Sequence, residues 1–189
     1  FNSTINGIEE ADLIFLVGVN PRFESTILNA RIRKAYLNSS IKIVSLNDVG
    51  DLTYRYQSLD GKTQTIKDII DGKNKLSQEI IKSTKPLIIL GESFLNSKSA
   101  KHLFHPLKNF LLKNNKISNE WNPFNILSTD ASTVGNFDLD VFNEKKDLIK
   151  DLYENKFELV YLLGQDSLNF KKKEEFVIYQ GSHGDKGAE

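Results

Sequence analysis

The turn Gly18-Val19-Asn20-Pro21 closes an apolar run and opens a segment with helical spacing. Such a strand-to-helix turn aims main-chain N–H groups at whatever lies beyond the strand, so it can cradle a phosphate. Any sharp strand exit also favours Gly and any helix start favours Pro, and no G-x-G-x-x-G is present. Asp60-Gly61-Lys62-Thr63 has the ending of a phosphate-binding P-loop, but Tyr56 stands where the first Gly belongs and no apolar strand precedes it. His102 and His105 have the i, i+3 spacing of a shared metal site on one helix. Lys101 and Lys108 neighbour them, and no Cys or acid completes a ligand set. Asp138-Leu139-Asp140 offers two carboxylates to a hard cation, although its alternation suits a solvated face. Tyr54-Arg55-Tyr56 has the composition of a base-stacking platform. Without a basic surround it suits packing across a subunit boundary better. His183 and Asp185 make half a hydrolytic triad in a Gly-rich stretch, without a G-x-S-x-G elbow.

Composition narrows these choices. The 189 residues carry 25 basic and 25 acidic side chains, and that balance argues against a nucleic-acid binder. There is no Cys, which excludes disulfides, thiolate metal sites, iron–sulfur ligation and a Cys nucleophile within this sequence. No apolar run approaches the roughly 18 residues that span a bilayer, and no signal peptide is visible. Methionine is absent even at position 1, so the sequence reads as an excised piece of a longer polypeptide.

The elements that must position the candidates follow from periodicity. Leu13 to Val17 is continuously apolar, which predicts a strand covered on both faces. The next segment reads as a helix whose face carries Phe23, Ile27, Ala30, Lys34 and Leu37, flanked by Arg31 and Arg33; a second strand spans Ile41 to Leu46. Strand, turn, helix and strand form a βαβ unit. A helix or turn is expected within Phe1 to Glu10, with Asn2, Ser3 or Thr4 as N-cap, and a short extended piece at Leu52 to Tyr54. Helices are expected at Thr65–Ile70, Leu76–Thr84, Ser97–Asn114 (kinked or divided at Pro106) and Glu144–Tyr153. Further strands are expected at Leu87–Leu90, Leu159–Leu163 and Phe176–Tyr179. Residues 116–142 read as an irregular insertion in one α/β domain spanning 1–189. The expected architecture is an open, mostly parallel sheet of about five strands with helices on both faces, Rossmann-like in character.

Phe1 to Arg33, Asp51-Leu52-Thr53-Tyr54-Arg55-Tyr56 and Tyr179 to Ala188 together resemble the large iron–sulfur subunit, the G chain, of NADH:quinone oxidoreductase, respiratory complex I. The blocks Glu9-Glu10-Ala11-Asp12-Leu13-Ile14-Phe15-Leu16-Val17-Gly18, Asn20-Pro21-Arg22-Phe23-Glu24 and Leu28-Asn29-Ala30-Arg31-Ile32-Arg33-Lys34 carry most of the likeness. The matching region of that subunit is similar to molybdopterin-dependent oxidoreductases. The resemblance implies a non-catalytic structural domain of the respiratory complex, with no catalytic residue and no metal here. Iron–sulfur clusters would lie in an amino-terminal part of the subunit, and other peripheral-arm subunits would be partners on the cytoplasmic face of a bacterial inner membrane. It also marks Gly18, Asn20, Pro21, Asn47 and Asp48 as candidates for a vestigial nucleotide crevice. In molybdopterin relatives an Asp-Pro-Arg-like step ends the second strand, whereas Asn47-Asp48-Val49-Gly50 here lacks the Arg and its bidentate grip on phosphate. The alternative is a domain of an active molybdoenzyme that binds a guanine dinucleotide cofactor.

Overall fold

The computed structural model describes residues 1–130, 132–141, 147–165, 168 and 173–182. The chain divides into two compact units, Phe1–Ala131 and Ser132–Glu189. In the first unit β1, Leu13–Val17, lies at the centre of a five-stranded sheet, and all five of its residues are buried. It pairs in parallel with β2, Lys42–Ser45, on one side and with β4, Pro86–Gly91, on the other. The two-residue β3, Gln57–Ser58, extends the sheet beyond β2, and β5, Phe124–Leu127, extends it beyond β4. The order is β3-β2-β1-β4-β5 and every pairing is parallel.

Both faces of the sheet are covered, as continuous apolar strands demand. Ile14 and Leu16 point to the side of α2, Thr26–Asn38, where they pack with Leu28, Ile32, Ala35 and Leu52. Leu13, Phe15 and Val17 point the other way, into a core shared with α3 (Thr63–Ile70), α4 (Lys75–Lys82) and α6 (Ala100–Lys113). The alternation of β1 therefore splits one apolar run between two cores. Asp12 fastens the amino ends of the strands. Its carboxylate accepts hydrogen bonds from Thr84 N at 2.6 Å, from Lys85 N at 3.2 Å and from the Ser83 hydroxyl, where α4 gives way to β4.

The sheet follows the expected class but uses some different strands. Phe124–Leu127, within the stretch read as irregular, is β5, and the third extended piece is Gln57–Ser58 rather than Leu52 to Tyr54. Leu159–Leu163 (β6) and Phe176–Gln180 (β7) pair in parallel with each other in a separate two-stranded sheet of the second unit. That unit also holds α7, Thr133–Asp138, and α8, Leu148–Tyr153; part of the helix expected from Glu144 lies outside the described residues. Pro106 does not divide α6, which runs unbroken from Ala100 to Lys113. A separate turn of helix, α5 at Glu92–Leu95, precedes it. At the amino end a 3-10 helix spans Asn6–Glu10, and Thr4 supports it by accepting Gly7 N at 3.0 Å.

The face of α2 also differs from the expectation. Leu28, Asn29, Ile32 and Ala35 are buried, whereas Phe23, Ile27 and Leu37 face outward with exposures of 80%, 68% and 66%. Asn29 is satisfied inside: its amide donates to Leu52 O at 3.1 Å and its carbonyl accepts from the Tyr54 hydroxyl at 2.8 Å. Tyr54 is thus an internal tie between α2 and the loop after β2. Desolvation holds its phenol far above the ordinary value. Tyr54→Phe leaves the Asn29 carbonyl without this donor and is expected to cost about 1–3 kcal/mol in urea unfolding. The exposed neighbour Arg55→Ala should change stability by less than about 0.5 kcal/mol in the same assay.

Candidate functional site at the carboxyl ends of the strands

In an open parallel sheet the ligand crevice forms where the strand order reverses. Here that point lies between β1 and β4, whose neighbours run outward in opposite directions. Gly18 leaves β1 with φ +62°, in the left-handed region. A Cβ added there would stand 2.6 Å from Phe94 N, and one added to Gly91 would stand 2.1 Å from Gly18 O. The Ser93 hydroxyl donates to Gly18 O at 2.9 Å. The exits of β1 and β4 and the start of α5 are therefore packed main chain against main chain, with no room left for a side chain. Gly18 was legible as a turn residue in the sequence. Its closure by Gly91, Ser93 and Phe94 was not, because those residues come 73 positions later or more.

The other candidate residues also bond within the domain's own loops. Asn20 caps α1, Pro21–Glu24: its side-chain carbonyl accepts Arg22 N at 3.2 Å, and Pro21 takes the first helical position, where no N–H is needed. The Asn20 amide group donates to Val49 O at 2.9 Å, tying the turn after β1 to the loop after β2. Asn20 N, which a phosphate would seek, donates instead to Glu24 Oε1 at 2.7 Å. Asn47 donates to Asp48 O at 3.1 Å. Asp48 Oδ1 accepts Gly50 N at 2.9 Å and lies 2.7 Å from the Tyr56 hydroxyl. The Tyr56 and Gly50 hydrogen bonds lower the Asp48 pKa.

Two more carboxylates complete the ring. Asp51 accepts Thr53 N at 2.7 Å and pairs with Arg22 at 2.6 Å, and both contacts lower its pKa. Glu92 bridges β4 to the loop after β5 by accepting the Thr129 hydroxyl at 2.6 Å, the Ser128 hydroxyl at 2.7 Å and Thr129 N at 2.9 Å. Those bonds hold Glu92 below its ordinary 4.5, the Thr129 hydroxyl contributing most. Glu24, Asp48, Asp51 and Glu92 thus all accept hydrogen bonds in the loops and helix starts that follow β1, β2 and β4. Each of these acids braces a loop of its own domain.

The remaining candidates stand apart from this region. Asp60 accepts Lys62 N at 3.1 Å and the Thr65 hydroxyl, so the P-loop-like tetrapeptide is a turn that leads into α3. His102 and His105 are both exposed on α6, His105 edge-on to Phe104 at 5.5 Å. Asp138 and Asp140 are exposed at the end of α7. Among the described residues no group of three His, Cys, Asp or Glu could hold a metal ion. His183 and Asp185 lie outside the described residues.

A parallel sheet in the order 3-2-1-4-5, sharp Gly exits and a helix-capping Asn-Pro define a doubly wound α/β domain of the nucleotide-binding type, and the chain belongs to the molybdopterin oxidoreductase family, which matches residues 1–189. More particularly, it is 37% identical over 190 residues to the NADH-ubiquinone oxidoreductase 75 kDa subunit of Reclinomonas americana, covering 99% of this chain and 27% of that protein. It is 40% identical over 191 residues to the mitochondrial NADH-ubiquinone oxidoreductase 78 kDa subunit of Candida albicans, covering 100% of this chain and 25% of the relative. With a subunit of the NADH-quinone oxidoreductase of Rickettsia bellii the identity is 34% over 189 residues, covering 100% of this chain and 27% of that protein. The chain spans about a quarter of the length of these relatives. The resemblance read from the sequence is thereby confirmed.

Two predictions test the geometry. Gly91→Ala forces a backbone shift against Gly18 and is expected to cost about 3 kcal/mol in chemical denaturation. Gly50→Ala, at φ +77° with nothing within 4 Å, should cost only about 1 kcal/mol. Because Glu92 has a lowered folded pKa, its contribution is fully present above 4.5 and is lost as pH falls through the lower folded value. Glu92→Gln should therefore flatten the acid limb of the stability–pH profile below about pH 4.5 and leave the neutral-to-basic limb parallel to the unsubstituted protein.

Proposed function

We propose that this chain is a non-catalytic structural domain of the large iron–sulfur subunit of an NADH:quinone oxidoreductase, part of the respiratory electron-transfer and proton-translocating complex. The observation that carries this reading is the bond from Asn20 N to the carboxylate of Glu24. The main-chain donor most suited to an anion is already spent on the domain's own acid. Gly18, Asn20, Pro21, Asn47 and Asp48 then act as loop braces, vestiges of a crevice whose ligand they no longer hold. Cluster-borne electron transfer belongs to parts of the subunit outside this stretch, and the partners are other peripheral-arm subunits at the cytoplasmic face of a bacterial inner membrane, or its mitochondrial counterpart. No helix among the described residues is long and apolar enough to cross a membrane, which agrees with attachment through the complex.

Family membership favours one other reading, retention of a guanine dinucleotide cofactor in this fold. Calorimetric titration with GDP separates the two. The expected outcome is no binding heat at millimolar nucleotide and no shift in melting temperature. A Kd below about 10 μM, roughly −7 kcal/mol, would establish the cofactor-binding domain instead.

A further inference from the structure

The outer side of α6 is cationic, and no acid among the described residues answers it. No Asp or Glu stands between Glu92 and Glu120, a stretch with five lysines and two histidines in a chain of zero net charge. Leu103, Leu107, Phe110 and Leu111 turn inward. Lys101, His102, His105, Lys108 and Lys113 are left exposed. Of these, Lys101, His105 and Lys108 recur at i, i+4 and i+7, so they line one stripe. Elsewhere in the first unit cations are paired across elements: Arg31 and Lys34 share Glu9, Lys42 meets Glu79, and Lys85 meets Glu10. Among the described residues Lys101, Lys108 and Lys113 make no ion pair.

Two clefts flank the helix. One, of about 330 Å³, is lined by Leu95, Lys101, Phe104 and His105. The other, of about 500 Å³, is lined by Ile70, Pro106, Phe110 and Lys113, and the Asp71 at its edge is engaged by Lys73. Each cleft sets a phenyl ring beside a lysine, which suits a segment that carries apolar side chains among its carboxylates. The phosphates of a nucleic acid or a membrane would meet the lysines but not the clefts. Exposed ion pairs are individually weak, so three lysines would hold a free partner only loosely. A segment carried on the same polypeptide is present at high effective concentration and needs no stronger grip. The chain spans about a quarter of the length of its relatives, so on the proposed reading most of the subunit is available to supply one.

We infer that α6 docks an acidic segment of the same polypeptide from outside residues 1–189, with carboxylates on Lys101, Lys108 and Lys113 and apolar side chains in the two clefts. The inference rests on the reading of this chain as one domain of a larger subunit, and adds to it the surface and the chemistry that hold another part of that subunit. Carbodiimide coupling, which joins a lysine to a carboxylate in direct contact with it, tests this in the assembly isolated from its own cells. The joined peptides are identified by mass spectrometry. The expected products link Lys101, Lys108 or Lys113 to an Asp or Glu of the same polypeptide outside this stretch. Lys101→Gln combined with Lys108→Gln should lower the yield at Lys113 roughly tenfold, with the polypeptide still in its assembly. Links to another subunit, to a second copy or to acids within residues 1–189, or no product at these lysines in an intact assembly, would overturn this inference alone. Recovery from the cells of a polypeptide no longer than these residues would overturn it together with the proposed function, and the GDP titration bears only on the latter.

Discussion

The approach of Gly18 to Gly91 is the constraint on which the first unit depends. β1 and β4 are central, and each is buried along its whole length. Their exits must still diverge toward helices on opposite faces of the sheet. With a Cβ of Gly91 placed 2.1 Å from Gly18 O, no other residue type fits without moving a strand. Once the exits lie that close, Phe94 seals one side and the Ser93 hydroxyl satisfies the carbonyl left between them.

The same close approach fixes where the loops beyond the two strands begin. Around it the loops are held by acids accepting from main-chain N–H groups: Glu24 at the first turn, Asp48 and Asp51 after β2, and Glu92 between β4 and β5. Each bond is individually modest. Together they tie the loops beyond the strands to one another and to the helix starts.

Much of the first unit was legible because its signals are local. Leu13–Val17 has no polar interruption, and Pro86–Gly91 repeats that pattern before its Gly. The strand at Phe124–Leu127 was hidden because Asn125 breaks the apolar run, yet Asn125 is fully buried. It is satisfied by Ser3 and Pro123 O, and the Ser3 contact spans 122 positions. The buried face of α2 was not legible for a related reason. Asn29 looks like a solvent residue until Tyr54 and Leu52 are seen to satisfy it, so nothing in the spacing set Leu28, Ile32 and Ala35 apart from the stripe of Ile27 and Leu37. In the candidate site the sequence showed the turn and the missing Arg, but not which side chain would answer Asn20 N.

The ribbon of β6 and β7 carries a consequence for how the molecule is made. Leu159, Tyr161, Leu163 and Phe176 are all more than half exposed, on a parallel pair with no third strand among the described residues. During translation the amino-terminal unit has every strand of its sheet by Leu127, well before β6 leaves the ribosome. The later ribbon therefore emerges after every strand of the first sheet, and its open edges and exposed apolar side chains make it the stretch most open to pairing with another chain.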